Sequence, residues 1–162
     1  MNILPVRKNN RLENHDYAKT GFYFVTICVI DRHNLLWEEP NEGAKCVCLP
    51  LSPIGKIIDN EIMILSQTYE QLIVDKYVIM PNHIHMIVEI RDNSGRSQIA
   101  PTVSRAIKQF KGSVTKEIGY SIFQKSYYDH IIRDEADYLT KWNYIDTNPT
   151  RWAADDYYGP TP

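Results

Sequence analysis

His83-Ile84-His85 is the tripeptide of this 162-residue chain whose spacing carries the most chemistry. Residues two apart on a β-strand point to the same face of a sheet, so a strand through this segment stands two imidazoles side by side. Two neutral imidazoles so placed make half a metal site. Two half-buried sheet histidines are the plainer alternative, and the tripeptide alone leaves both open. Thiols offer nothing comparable: Cys28, Cys46 and Cys48 are an odd count without framework spacing, and Cys46-Val47-Cys48 is too tight to suggest a tetrahedral zinc site by itself. The other chemical feature is basic. Between Arg91 and Tyr120 stand six basic residues (Arg91, Arg96, Arg105, Lys108, Lys111, Lys116) and two acidic ones (Asp92, Glu117), a local net charge of +4. Arg105, Lys108 and Lys111 recur every three residues, which gathers them on one side of a helix, either to follow a phosphate backbone or simply to face water.

The elements that must position these groups follow from hydrophobic period and turn chemistry. Gly21 to Ile30, rich in aromatic and β-branched residues and bounded by an Asp31-Arg32-His33-Asn34 turn, reads as a buried strand. After a turn-rich loop over Glu38 to Gly43, Lys45 to Leu49 reads as a short strand that Pro50 stops. Ser52 as N-cap and Pro53 as the first helical residue open a helix with Ile54, Ile57, Ile58, Ile62 and Leu65 at helical spacing, ending near Thr68. Leu72 to Met80 and His83 to Ile90, separated only by Pro81-Asn82, predict an antiparallel hairpin of central strands. Thr102 or Ser104 caps a second helix with Val103, Ala106, Ile107, Phe110 and Val114 on one face, ending before Gly119. Ser126 to Arg133 is extended, and Asp134 caps a third helix to about Thr147, where Asn148-Pro149 forces an exit and bends Asn148 out of helical geometry. The order strand, helix, strand, strand, helix, strand, helix predicts an α+β fold: a ferredoxin-like antiparallel sheet with helices on one face and an additional C-terminal helix.

The bulk numbers set the frame for these elements. At 162 residues, 43% hydrophobic and 23% charged, the chain is expected to form a single domain over 1–162, with a basic lead-in arm at 1–20 and an irregular tail at 150–162. The arm carries Arg7, Lys8, Arg11 and Lys19 against Glu13 and Asp16. A formal charge of -2 excludes a global polycation, so any attraction for nucleic acid must come from local patches. No apolar h-region or membrane-length run is visible, and the cysteine usage fits a reducing compartment, so a cytoplasmic protein without membrane contact is expected.

The longer string Tyr77-Val78-Ile79-Met80-Pro81-Asn82-His83-Ile84-His85-Met86-Ile87-Val88 resembles the HUH motif, two histidines flanking a hydrophobic residue, of single-tyrosine transposases. The resembling group is the one related to the REP-associated tyrosine transposases of bacteria. The resemblance spans nearly the whole chain: the lead-in, Tyr23-Phe24-Val25-Thr26-Ile27, the histidine strand, Tyr128-Asp129-His130-Ile131-Ile132-Arg133, and Trp142-Asn143-Tyr144-Ile145-Asp146-Thr147-Asn148-Pro149, which looks like the family's nucleophile helix. It implies that this additional C-terminal helix carries the nucleophile, Tyr144. It further implies that His83, His85 and Asn148 hold a divalent ion, Mg2+ or Mn2+, with Asn148 bound through its amide oxygen. Tyr144 and Asn148 are four apart and so share a helix face. Among 11 tyrosines, Tyr138, Tyr127 and Tyr128 are the next candidates, and His130 adds an imidazole with no assigned role.

The activity implied is metal-dependent cutting and rejoining of single-stranded DNA through a 5′-phosphotyrosine. The implied substrate is a folded strand, such as a hairpin with an unpaired flank. Arg7, Lys8, Arg11, Arg96, Arg105, Lys108 and Lys111 are its expected contacts, and a homodimer is one of two oligomeric states that the family uses. Two rival readings stand beside it: a catalytically silent ferredoxin-like nucleic-acid-binding module, and a hydrolytic metal site built from His83, His85 and His130 with Tyr144 structural.

Overall fold

The computed structural model describes residues 20–39, 49–91 and 102–158. Four strands, β1 (Gly21–Cys28), β2 (Leu72–Ile79), β3 (His83–Ile90) and β4 (Tyr128–Ile132), form one antiparallel sheet in the order β2-β3-β1-β4. Three helices follow the expected caps. The Ser52 hydroxyl accepts from the Gly55 N–H at 3.0 Å to start α1 (Pro53–Thr68), and Thr102, rather than Ser104, accepts from the Arg105 N–H at 3.1 Å to start α2 (Val103–Ile118). Gly119, at φ 92, closes α2 in the left-handed conformation that a side chain disfavours. Asp134 accepts from the Asp137 N–H at 2.8 Å to start α3 (Glu135–Thr147). No helix among the described residues is long and apolar enough to cross a membrane.

Strand alternation gives the sheet two faces of different character. Tyr23, Val25, Ile27, Ile84, Met86, Val88 and Ile90 point to the side covered by α1 and α2, where they meet Ile58, Ile62, Leu65, Val103, Ala106, Ile107, Phe110 and Val114 in the main core. Phe22, Phe24, Thr26, His83, His85 and Ile87 point to the other side, where α3 packs through Ile145 on a smaller cluster of Phe24 and Ile87. A register shift between Val74 and Lys76 turns β2 over, so that Lys76 and Val78 face α3 while Val74 faces the main core.

Several local expectations are corrected. β1 stops at Cys28 rather than Ile30, because Val29 leaves the ladder to bridge Phe123 and the chain turns through a 3-10 segment, Ile30–Arg32. β4 is shorter than Ser126 to Arg133. Pro149 does not bend Asn148: its backbone stays right-handed helical (φ -57, ψ -46) and its N–H reaches the Tyr144 carbonyl at 3.0 Å. The helix instead tightens after it into a 3-10 segment, Pro149–Ala154, so the tail is less irregular than its composition suggests. The lead-in with Arg7, Lys8 and Arg11, residues 45–48 of the short predicted strand, and Arg96 all lie outside the described residues.

Candidate metal and tyrosine centre

The β-strand geometry sets His83 and His85 on one face with their Nε2 atoms 2.9 Å apart and both rings buried, at 0% and 1% exposure. Each Nδ1 is held from behind. Thr26, the register partner of His85 on β1, places its hydroxyl 2.8 Å from the His85 Nδ1. The His83 Nδ1 lies 2.8 Å from the Asn82 Oδ1. The Asn82 amide admits one orientation, because its Nδ2 donates to two carbonyls, Arg32 at 3.1 Å and Tyr157 at 2.9 Å. Its oxygen must therefore accept from the His83 Nδ1–H, which leaves the His83 Nε2 as the bare lone pair. Burial, and then the nearby Arg32 guanidinium, push His83 down to about 3. Burial, and then His83, hold His85 well below the ordinary imidazole value. Both rings are thus neutral at physiological pH, the state a metal ligand needs.

α3 brings its phenol over this pair. The Tyr144 ring stands edge-on to His85 with centroids 5.1 Å apart, and edge-on to Phe24 at 6.0 Å. Tyr144 is 38% exposed, so it is neither locked in the core nor on the far side of the sheet. One turn on, Asn148 is 3% exposed, and neither its amide oxygen nor its amide nitrogen meets a partner in good hydrogen-bonding geometry, although the amide lies near enough to the Tyr144 hydroxyl to favour the phenolate. An orphaned amide of this kind costs roughly 1–3 kcal/mol, so it marks a place where a ligand is expected. Tyr144, Thr147, Asn148, Arg151, Ala154, Asp155 and Asp156 line an open cleft of about 250 Å³.

The 3-10 turn after Pro149 adds residues that the sequence left unmarked. Asp155 comes back over the sheet so that its carboxylate, the His83 imidazole and the His85 imidazole present ligand atoms within 4.8 Å of one another. The Tyr144 hydroxyl donates to the Asp155 Oδ2 at 3.4 Å, and burial followed by this carboxylate push the phenol up to about 12. Tyr157 lays its ring 4.5 Å from His83 and 5.9 Å from His85. Asp155 beside the two imidazoles, with the Asn148 amide in the same cleft as Asp155 and Tyr144, offers oxygen donors that suit a hard divalent cation better than imidazoles alone. A hydrogen-bonded tail has no periodic signature. The only sequence hints were the acidic pair Asp155-Asp156 and the asparagine just before His83.

Other predicted residues go elsewhere. His130 donates to the Asp137 carboxylate at 2.8 Å and is not part of the imidazole group, so the trio His83, His85 and His130 is not assembled. Tyr127 bonds Ser104 at 2.9 Å, Tyr138 donates to the Asp75 carboxylate, and Tyr128 is exposed on β4. Arg105, Lys108 and Lys111 ride on α2, across the sheet from the imidazoles. Of these, Lys111 donates to the carbonyls of Gln124 and Ser126 at 2.8 and 3.0 Å, and burial lowers it to about 8, while Arg105 and Lys108 stay exposed.

No protein-family model matches the chain. An uncharacterised protein of Haemophilus influenzae is 31% identical over an alignment of 173 positions, covering 94% of this chain and 93% of that one. A second Haemophilus influenzae protein, named as a candidate REP-associated tyrosine transposase, is 24% identical across 84% of this chain and 74% of its own length. A solved REP-associated tyrosine transposase, bound to a REP hairpin, superposes with a TM-score of 0.62 over 88% of this chain and 74% of that one at 19% identity. The chain has a transposase-like fold, that of the solved REP-associated tyrosine transposase. Within this fold, the imidazole strand is β3, one of the two inner strands, and the helix bearing Tyr144 lies on the face that α1 and α2 leave uncovered.

Proposed function

We propose that the chain is a divalent-metal-dependent endonuclease and strand transferase for single-stranded DNA, working through a 5′-phosphotyrosine on Tyr144. The observation that carries the reading is the orphaned Asn148 amide, buried one helix turn from a phenol that stands edge-on to His85. A solved relative of the same fold is bound to a REP hairpin, which supports a hairpin-forming strand as substrate and the cytoplasm as the place of action.

His83 and His85 through Nε2, Asn148 through its amide oxygen and Asp155 through its carboxylate would hold Mg2+ or Mn2+. The bound ion would draw charge from the non-bridging oxygens of the scissile phosphate. The chain's own groups do the rest. Asp155 takes the proton from the Tyr144 Oη, to which it is already hydrogen-bonded, and so supplies the acceptor that a phenol held up at about 12 requires. The phenolate oxygen attacks phosphorus as the bond to the 3′-oxygen breaks, and the departing 3′-oxyanion takes a proton from water, leaving a 5′-phosphotyrosine and a free 3′-hydroxyl. Reversal with a different 3′-hydroxyl rejoins strands and returns the proton to Tyr144. Thr26 and Asn82 hold the imidazoles in one orientation throughout.

Incubation of the protein with a hairpin oligonucleotide bearing an unpaired flank, with Mn2+, should yield a protein–DNA adduct stable to denaturant. The adduct should disappear in Tyr144→Phe and on chelation. An adduct that survives Tyr144→Phe and vanishes in Tyr157→Phe would move the nucleophile to the other ring beside His83. Tight binding with no adduct from either protein would leave the silent nucleic-acid-binding module in its place.

A further inference from the structure

The cations expected to follow DNA lie on α2, across the sheet from the imidazoles, so a strand seated at Tyr144 needs others. Arg151 lines the Tyr144 cleft itself, and two further cations flank the imidazole pair. Lys141 lies one turn before Tyr144 on α3, with its Nζ 5.1 Å from the centroid of the Phe24 ring. That ring stacks on His85 at 5.2 Å and meets Tyr144 edge-on. At the other end of the pair, the Arg32 guanidinium carbon lies 5.2 Å from the centroid of the Tyr157 ring, which covers His83. Lys56, Lys76 and Arg91 are bound to carboxylates, whereas neither Arg32 nor Lys141 forms an ion pair with any described residue.

The Arg32 end is built, not incidental. Asp31 and Arg32 are consecutive left-handed residues, φ 54 and 57, and neither is glycine. Such strain persists only where surrounding structure enforces it, and it concentrates at functional positions. The enforcing contact is the Asn82 amide, which holds the Arg32 carbonyl with its nitrogen and the His83 ring with its oxygen. The side chain that aims His83 therefore also fixes the backbone that carries the guanidinium.

We propose that Arg32 and Lys141 bind backbone phosphates of the DNA strand on the two sides of the linkage that Tyr144 attacks, Lys141 on the Tyr144 side and Arg32 on the Tyr157 side. The inference rests on the function proposed above. Its ligand class follows from the arrangement: a strand crossing the imidazole pair presents regularly spaced anions, and two separated cations flanking the reacting point match that better than they match a single small anion. Contacts to flanking phosphates are equal in ground and transition states, so they act on KM rather than on kcat.

The test is anisotropy of a fluorescent hairpin oligonucleotide with an unpaired flank, titrated with Mn2+ present between about 50 and 200 mM salt into Tyr144→Phe, which leaves the strand uncut. Arg32→Gln and Lys141→Met, the latter keeping the alkyl stem over Phe24, should each weaken binding about five- to tenfold at low salt and lower the slope of log affinity against log salt by roughly 0.7. Lys141→Arg should restore both. With Tyr144 present, each variant should raise KM for adduct formation with kcat within about twofold. Unchanged slopes for Arg32→Gln and Lys141→Met, or a loss of kcat at unchanged KM, would overturn the assignment. Absence of an adduct in the wild-type protein overturns the tyrosine chemistry alone, since the binding measurement decides the phosphate contacts without it.

Discussion

The two faces of the sheet solve opposite problems. On the side of α1 and α2, the inward residues of β1 and β3 meet apolar helix faces and the interior is filled. On the side of α3, the equivalent strand positions hold Thr26, His83 and His85, and the covering helix buries one large apolar residue, Ile145, beside an amide with no well-placed partner. One face stores the free energy of folding and the other spends part of it on groups that want a ligand. The same two strands serve both purposes because alternate residues face opposite ways.

Truncation on the filled face should break the contrast most severely. Phe110 is buried against Phe123, with ring centroids 5.8 Å apart, so Phe110→Ala should cost about 3–5 kcal/mol of unfolding free energy by urea titration. The fraction still folded should form adduct at the wild-type rate. A rate defect in the folded fraction would mean that the faces are coupled and the contrast is too sharp.

The opposite substitution sharpens it. Asn148→Leu removes a buried amide that bonds nothing in good geometry and fills the space with apolar atoms, so stability should rise, by up to about 1–3 kcal/mol. The Mn2+ concentration needed for adduct formation should climb about tenfold or more. Destabilisation without a change in metal requirement would reduce Asn148 to an ordinary structural residue.

How much of this was legible in the sequence divides along the same line. The filled face announced itself: Ile58, Ile62 and Leu65 on α1 and Val103, Ala106, Ile107, Phe110 and Val114 on α2 repeat at the helical period, and Ser52, Thr102 and Asp134 all cap as expected. The imidazole pair was legible because strand alternation fixes where His83 and His85 point. Asp155 and Tyr157 were not, since their place depends on how a 3-10 turn carries the chain back over the sheet, which no local period encodes. Asn82 reads as a turn residue and becomes the anchor of His83 only once its amide meets the Arg32 and Tyr157 carbonyls. The basic row on α2 was legible as a row but not as to which side of the sheet it would occupy, and Lys111 left it for two backbone carbonyls.

A third prediction concerns pH, and its effect vanishes at neutrality. Both imidazoles titrate below their unfolded value of about 6.5, because burial disfavours their charge. Below that pH the unfolded chain binds protons that the folded chain refuses, so stability is fully present above about 6.5 and falls as pH drops toward the folded values. Urea titrations in chelator at pH 7 and pH 5 should show this loss in the wild-type protein and a shallower one in His83→Gln. Equal slopes in the two proteins would mean that the rings are solvated.

The smallest effect tests what fastens α3 to its face. Lys76, turned to this side by the shift in β2, binds the Asp146 carboxylate at 2.7 Å and lies 3.1 Å from the centroid of the Trp142 ring. Asp146 is 57% exposed, so water and salt compete for the pair, and Asp146→Asn should cost only about 0.2–1 kcal/mol, a difference that disappears near 1 M salt. The cation over Trp142 is left in place by that change, so α3 should keep Tyr144 beside His85 and adduct formation should be unaltered. A larger loss, or one that persists in high salt, would show that the ion pair and not the Phe24, Ile87 and Ile145 cluster holds the helix down. The site face would then be fastened by charge where the opposite face is fastened by packing.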